Sequence, residues 1–210
     1  MTNDHIGREM LIQSLAHQFS GSDDVIRCTN PMVGREYPFD TAISRIDEGI
    51  WEICNHTAQP VPSHCFASKH SPVEGELLFL AGHSGDRAKF SFGTLVTRAT
   101  PYVTQQAEMP AEYGNPTFHF AVPYKPDLAV ATSEPASGLP RPPGLSGSLV
   151  WNTRYVEFNE ADRNWTPADA QVTGIVWGWP SSAACLLATR VEFFSLKELV
   201  DNYPRSVGAS

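Results

Sequence analysis

The segment Gly144-Leu145-Ser146-Gly147 sets a serine between two glycines, after a loop stiffened by Pro140, Pro142 and Pro143 and before the apolar run Leu149-Val150-Trp151. Proline fixes φ and glycine opens backbone angles closed to other residues, so such a turn can present a side chain and converge its own amides on one point. A serine hydroxyl is a poor nucleophile until a base takes its proton, and the oxyanion it creates at a carbonyl needs hydrogen-bond donors. The amides of Gly144 and Ser146 are the candidate donors, each contributing on the order of 3 kcal/mol to catalysis. Glycine and serine also build ordinary surface turns, so the surrounding chain decides between the two readings.

Downstream stand Gly174-Ile175-Val176-Trp177-Gly178-Trp179, a second apolar run from Leu186 to Val191, and a segment from Ser195 to Val200 with helical spacing. Upstream, Asp40-Thr41-Ala42-Ile43 opens a strand-like run. A glycine-flanked serine, a Gly-Ile-Val-Trp-Gly strand, a second strand and a terminal helix, in that order, resemble the second half of the trypsin-like (chymotrypsin-fold) serine peptidases. Asp40-Thr41-Ala42 resembles the strand start that carries that family's triad aspartate.

The resemblance implies an all-β fold, a double β-barrel of the six-stranded type with a short C-terminal helix. It implies an N-terminal barrel over 1–105, short of a full set of strands, and a C-terminal barrel over 106–210 carrying the nucleophile, with the seam between 97 and 115. The implied function is endopeptidase: an acyl-enzyme at Ser146, with Asp40 orienting the base and Gly144 and Ser146 holding the oxyanion. The family's base precedes its aspartate, and only His5 and His17 do so here. His5 lies too near the terminus to be held firmly, which leaves His17, in Ala16-His17, as the match.

The family places two strands before its histidine, and 16 residues offer little room for them. Either the chain starts late relative to its relatives, or it is a degenerate member. The second case carries the alternative function, a catalytically inactive domain that binds a protein or peptide in the same cleft. The substrate-binding positions implied are Pro140, Trp177, Gly178 and Trp179. Pro140 is not an acid, so nothing favours cleavage after Lys or Arg, and the tryptophans would make the pocket shallow, suited to a small or medium apolar residue. Core packing is the plain alternative for Trp177.

Composition bounds these readings. The 210 residues suffice for a proper core, and 41% apolar with 18% charged residues is a globular mixture. A formal charge of -8 argues against nucleic acid or an anionic membrane surface as the main partner; the resemblance implies a protein or peptide substrate. No stretch approaches the roughly 18 apolar residues of a membrane span, and Met1-Thr2-Asn3-Asp4-His5-Ile6 lacks the basic start and apolar stretch of a secretory signal, so a cytoplasmic location is expected. Cys28, Cys54, Cys65 and Cys185 show no Cys-x-x-Cys spacing, so free thiols are expected, with no metal and no cofactor. In an exported chain Cys54 and Cys65 could close a loop.

Along the chain, Ile6, Met10, Leu11, Leu15 and Phe19 have helical spacing, and this predicts an amphipathic N-terminal helix; a strand over 10–19 leading into Ala16-His17 is the rival. From Val25 short apolar runs between Pro, Gly, Asn and Asp predict strands at 25–28, 41–46 and 50–54. The run 76–82 reads as a buried central strand, forming a hairpin with 89–97 across Ser84-Gly85-Asp86-Arg87, and 117–122 reads as a further strand. The Pro-, Ser- and Ala-rich stretch 123–143 reads as an internal loop and the polar stretch 159–169 as a hairpin tip. His56, His64 and His70, in polar loops, read as solvated, and His119 should face away from Phe118 and Phe120. Gly82-His83-Ser84-Gly85 after an apolar strand is a weaker nucleophile candidate of the α/β-hydrolase kind, opposed by Asp86 where glycine is needed and by strand-like residues where a helix should follow.

Overall fold

The structure, a computed structural model, describes residues 1–9, 15–91, 94–131 and 138–204. In chain order its elements are α1 (Asp4–Glu9), β1 (Ala16–Gln18), β2 (Val25–Arg27), β3 (Met32–Arg35), β4 (Thr41–Ser44), α2 (Glu48–Ile53), β5 (Leu78–Gly82), β6 (Lys89–Ser91), β7 (Thr94–Val96), β8 (Thr100–Thr104), β9 (His119–Pro123), β10 (Leu149–Asn152), α3 (Tyr155–Glu160), β11 (Gln171–Gly178), β12 (Cys185–Arg190) and α4 (Leu196–Asp201). The protein is mostly β, with short helices and 3-10 turns between strands. Two compact units divide the chain: Met1–Gln59 with Phe194–Ser210, and Pro60–Phe193.

The second unit is built on one curled antiparallel sheet in the order β8-β5-β10-β11-β12-β9, half a barrel in shape. Its strands are rich in β-branched and aromatic residues, which suit a half-buried pleated surface. Alternation sends Leu78, Leu80, Val150, Val176, Leu186 and Ala188 to the concave side, where they pack with Phe120, Val122, Tyr124 and Leu145 in one core. Each large side chain buried there stabilises the unit by about 1.5–3 kcal/mol. Gly174 makes room for this packing: a Cβ on it would lie 2.4 Å from the Phe120 ring.

The first unit is smaller. It consists of the hairpins β1-β2 and β3-β4, with α1 and α4 packed on β3-β4 and Trp51 of α2 edge-on to Phe19 after β1. α1 lies close on β3 because Gly7 has no side chain; a Cβ there would meet Met32 Cγ at 2.6 Å.

Several expectations are corrected. The boundary falls after Gln59 rather than between 97 and 115, because β5 and β8 pair with each other and, through β10, with the later strands. For the same reason 76–82 forms no hairpin with 89–97: Lys89–Ser91 pairs with Thr94–Val96 instead, and 92–93 lie outside the described residues. No continuous helix runs from Ile6 to Phe19, since α1 ends at Glu9 and Ala16–Gln18 is a strand; residues 10–14 lie outside the described part. The run 50–54 belongs to helix α2, and the stretch 159–169 contains the end of α3 and a 3-10 turn, Pro167–Asp169, rather than a hairpin tip. Residues 132–137 of the 123–143 loop are outside the described part. The 25–28 and 41–46 strands, the strand before Pro123 and the C-terminal helix are present, each within two residues of its expected bounds. All four cysteines are free.

Candidate active site

Ser146 sits in the turn that leads into β10, half-buried rather than in the core. Leu145, at 1% exposed, is driven into the concave core and anchors the turn from below. Backbone hydrogen bonds clamp it on both sides. Leu145 N–H donates to the Pro142 carbonyl (2.9 Å), Ser148 N–H to the Leu145 carbonyl (3.0 Å), and Gly147 N–H to the Val176 carbonyl (2.9 Å), while Val176 N–H returns to the Ser148 carbonyl (2.9 Å).

The decisive bond is Gly85 N–H to the Pro143 carbonyl at 2.8 Å. In a planar trans peptide the carbonyl and the following N–H point in opposite directions, so holding the Pro143 oxygen against Gly85 turns the Gly144 N–H the other way. Gly144 has φ +97°, and a Cβ on it would lie 2.7 Å from the His83 carbonyl oxygen and 2.8 Å from the Gly85 nitrogen. Only glycine fits this conformation and this space. Within their unit the amides of Gly144 and Ser146 and the Ser146 hydroxyl have no hydrogen-bond partner, so all three are available to a ligand.

Asp40 lies in the first unit at the head of β4, with φ +43° and 6% exposure. Its carboxylate takes one residue twice: His5 N–H donates to Oδ1 at 2.9 Å, and His5 Nδ1 lies 2.7 Å from Oδ2. With Nδ1–H given to the carboxylate, the tautomer is set and Nε2 is left as the acceptor, with no partner inside the unit. The terminus that carries His5 is held. Thr2 and Ala42 exchange two backbone bonds of 2.8 Å, and Asn3, fully buried, donates its side-chain amide to the Asp40 carbonyl at 2.9 Å. Burial pushes the neighbouring Asp4 carboxyl up, against the Arg8 guanidinium 3.3 Å away.

His17 is placed otherwise. It lies on β1 with Nδ1 3.4 Å from Cys28 Sγ, and its buried Nε2 has no partner. Burial pushes His17 down and the Cys28 thiol up, so the contact joins a neutral imidazole to a neutral thiol. It does not touch Asp40; His5 occupies that carboxylate. Nearness to the terminus does not loosen His5, because the backbone bridge from Thr2 to Ala42 holds the segment. The signals for a docked terminus were Asp4 with Arg8 at i, i+4 and the small Gly7 facing a neighbouring element.

The other candidates fall as follows. Pro140 is buried and its carbonyl accepts the Tyr124 hydroxyl at 2.8 Å, so no charge faces the loop there. Trp177 and Gly178 are half-buried, Trp177 lying 5.0 Å from the His119 ring, and Trp179 is 38% exposed. Ser84 is 1% exposed, donates to the Arg141 carbonyl at 2.7 Å and receives the Asp86 amide, and β6 rather than a helix follows its 3-10 turn. It is a turn cap, not a nucleophile.

Two loop histidines are not solvated. His70, 3% exposed, stacks on Phe120 with centroids 3.8 Å apart, donates from Nε2 to Gln106 Oε1 (2.9 Å) and accepts the Thr173 hydroxyl at Nδ1 (2.7 Å). Burial pushes it down to about 4. His56 lies tilted against Trp51, with ring centroids 4.4 Å apart at 60°, and bonds the Trp51 carbonyl. His119 is fully buried, on a strand covered on both faces, and accepts the Asn115 amide. No group of three or more His, Cys, Asp or Glu among the described residues could hold a metal ion, and no helix among them is long and apolar enough to cross a membrane. No family model, curated protein or solved structure matches the chain.

Proposed function

We propose that this chain is a trypsin-like serine endopeptidase, with Ser146 as nucleophile and His5, held by Asp40, as the histidine whose tautomer suits a general base. In the reaction a general base takes the Ser146 hydroxyl proton as Oγ bonds to the carbonyl carbon of a peptide. The Gly144 and Ser146 amides receive the oxyanion. The base then passes the proton to the departing amine as the C–N bond breaks, and a water, deprotonated by the same base, releases the acyl group. Asp40 orients the His5 ring through Nδ1–H.

The observation that carries the reading is the two-point hold of His5 by Asp40. A carboxylate that receives both the backbone amide and the Nδ1–H of one histidine fixes ring position and tautomer together, which is more than a structural ion pair requires. The free amide of Gly144, aimed by the Pro143 carbonyl, is the second support. Pro140 in place of an acid favours a neutral residue before the cut, and Trp179 beside Gly178 favours one of small or medium size. Four free thiols suit a reducing, cytoplasmic setting.

A fluorophosphonate probe tests it, since it labels only an activated serine. Labelling of the full chain, lost in Ser146→Ala and slowed at least a thousandfold in His5→Ala, is the expected result. A folded chain that takes no label is the outcome expected of an inactive domain binding peptides in the same place, and it overturns the enzyme reading.

A further inference from the structure

On its outer, convex side the six-stranded sheet carries a feature that the peptidase chemistry does not use. Leu78, Leu80 and Val150 point into the core, so the residues between and beside them point out. Phe79 is the register partner of Val103 on β8 and of Trp151 on β10, which makes a row of three apolar side chains across three strands. The outward face of an antiparallel sheet is ordinarily polar.

The chain after β10 walls this row. Tyr155 and Trp165 stand edge to face, 5.6 Å apart at 83°, and with Pro167 they close a cavity of about 460 Å³ over the three residues. The wall is fastened. Glu76, 3% exposed, accepts the Thr153 hydroxyl and the amides of Leu77, Val156 and Glu157 on its two carboxylate oxygens, pinning the start of α3 to the approach to β5. Trp165 Nε1–H donates to the Thr153 carbonyl at 2.7 Å. The cavity is therefore preformed.

Its chemistry narrows the occupant. No charged side chain lines it, which disfavours an ion. The Trp165 N–H and the Thr153 hydroxyl are spent inside the wall, and within this unit only the Tyr155 hydroxyl remains without a partner. The volume lies within the roughly 300–1,000 Å³ of small-molecule sites. We propose that this cavity binds an uncharged, flat, ring-containing small molecule carrying one hydroxyl or carbonyl, stacked among Trp151, Trp165 and Phe79 and hydrogen-bonded to Tyr155.

The test titrates the full chain with 2-naphthol by calorimetry and follows tryptophan fluorescence. One saturable site per chain is expected, weakened at least tenfold in Trp165→Ala and in Val103→Glu. Val103 is 52% exposed on an edge strand, so the second variant places a carboxylate at the mouth without disturbing the core, and an unchanged thermal midpoint verifies that. Three outcomes overturn the proposal: no saturation up to the solubility limit, affinity unchanged in both variants, or binding of a blocked Pro-Trp-Pro peptide where 2-naphthol does not bind. Labelling of Ser146 does not enter, so this result and the peptidase result stand apart.

Discussion

The Pro143 carbonyl accepts the Gly85 amide at 2.8 Å, and that single bond orients the peptide whose other side is the Gly144 N–H. Two loops distant in sequence thus set the direction of one proposed oxyanion donor. Gly144→Ala attacks this arrangement directly, since a methyl group at φ +97° would press on two backbone atoms that cannot swing away. The variant is expected to lose about 1–3 kcal/mol in urea denaturation and roughly a hundredfold or more in labelling rate. Normal labelling in a destabilised Gly144→Ala would remove this amide from the site.

The assignment of the base is settled by comparing two histidines. His5→Ala should abolish turnover, and Asp40→Asn, which spoils the tautomer while preserving shape, should lower kcat by roughly 10⁴-fold. His17→Ala should leave the labelling rate within about twofold, because that ring faces Cys28 and not Asp40. The reverse pattern, inactive His17→Ala with active His5→Ala, returns the role to His17.

Stability should fall in mild acid because of His70. Its folded value lies near 4 and its ordinary value near 6.5, so between these the unfolded chain binds a proton that the folded chain refuses. Stability then rises with pH across the window, and on the order of 3 kcal/mol present at pH 7 is lost by pH 4. Denaturation midpoints measured at pH 7, 5.5 and 4.5 should drop in that order, and the drop should shrink in His70→Gln. A His70→Gln chain with the same acid sensitivity would place the effect elsewhere.

Glu76→Gln keeps the side chain's volume but replaces one acceptor oxygen with a donor that faces donors. The Val156 and Glu157 amides and the Thr153 hydroxyl converge on that carboxylate. A loss of about 1–3 kcal/mol is expected, together with faster amide exchange in α3 than in β11. Uniform exchange across both elements would show that Glu76 supports the whole unit rather than this helix.

Much of the architecture was legible along the chain. Short apolar runs marked β4, β9, β11 and β12, and the 3.6-residue spacing of Leu196, Leu199 and Val200 marked α4. Pairing was less so. The run through Leu78 and Leu80 showed a buried strand but not its neighbours, because a strand's partners are chosen by which apolar faces meet across the sheet and not by adjacency in sequence. Residues 50–54 show how a short apolar run misleads: Ile50 and Ile53 stand three apart, a helical spacing that a strand would split between two faces, and the contacts of Trp51 with Phe19 and His56 accompany the helix.

By itself the sequence determined where a serine could be presented, because φ at Pro140, Pro142, Pro143, Gly144 and Gly147 is governed by covalent structure. It determined where short buried strands would form, through their runs of apolar residues. Which imidazole Asp40 would hold was decided only by tertiary structure, since His5 is fixed by a backbone bridge from Thr2 to Ala42 and a buried Asn3, contacts across 37 to 40 residues that no local pattern encodes. The aromatic cavity over β5, β8 and β10 has the same origin. Phe79, Val103, Trp151 and Trp165 lie far apart along the chain, and hydrogen-bond register across the sheet is the force that gathers them.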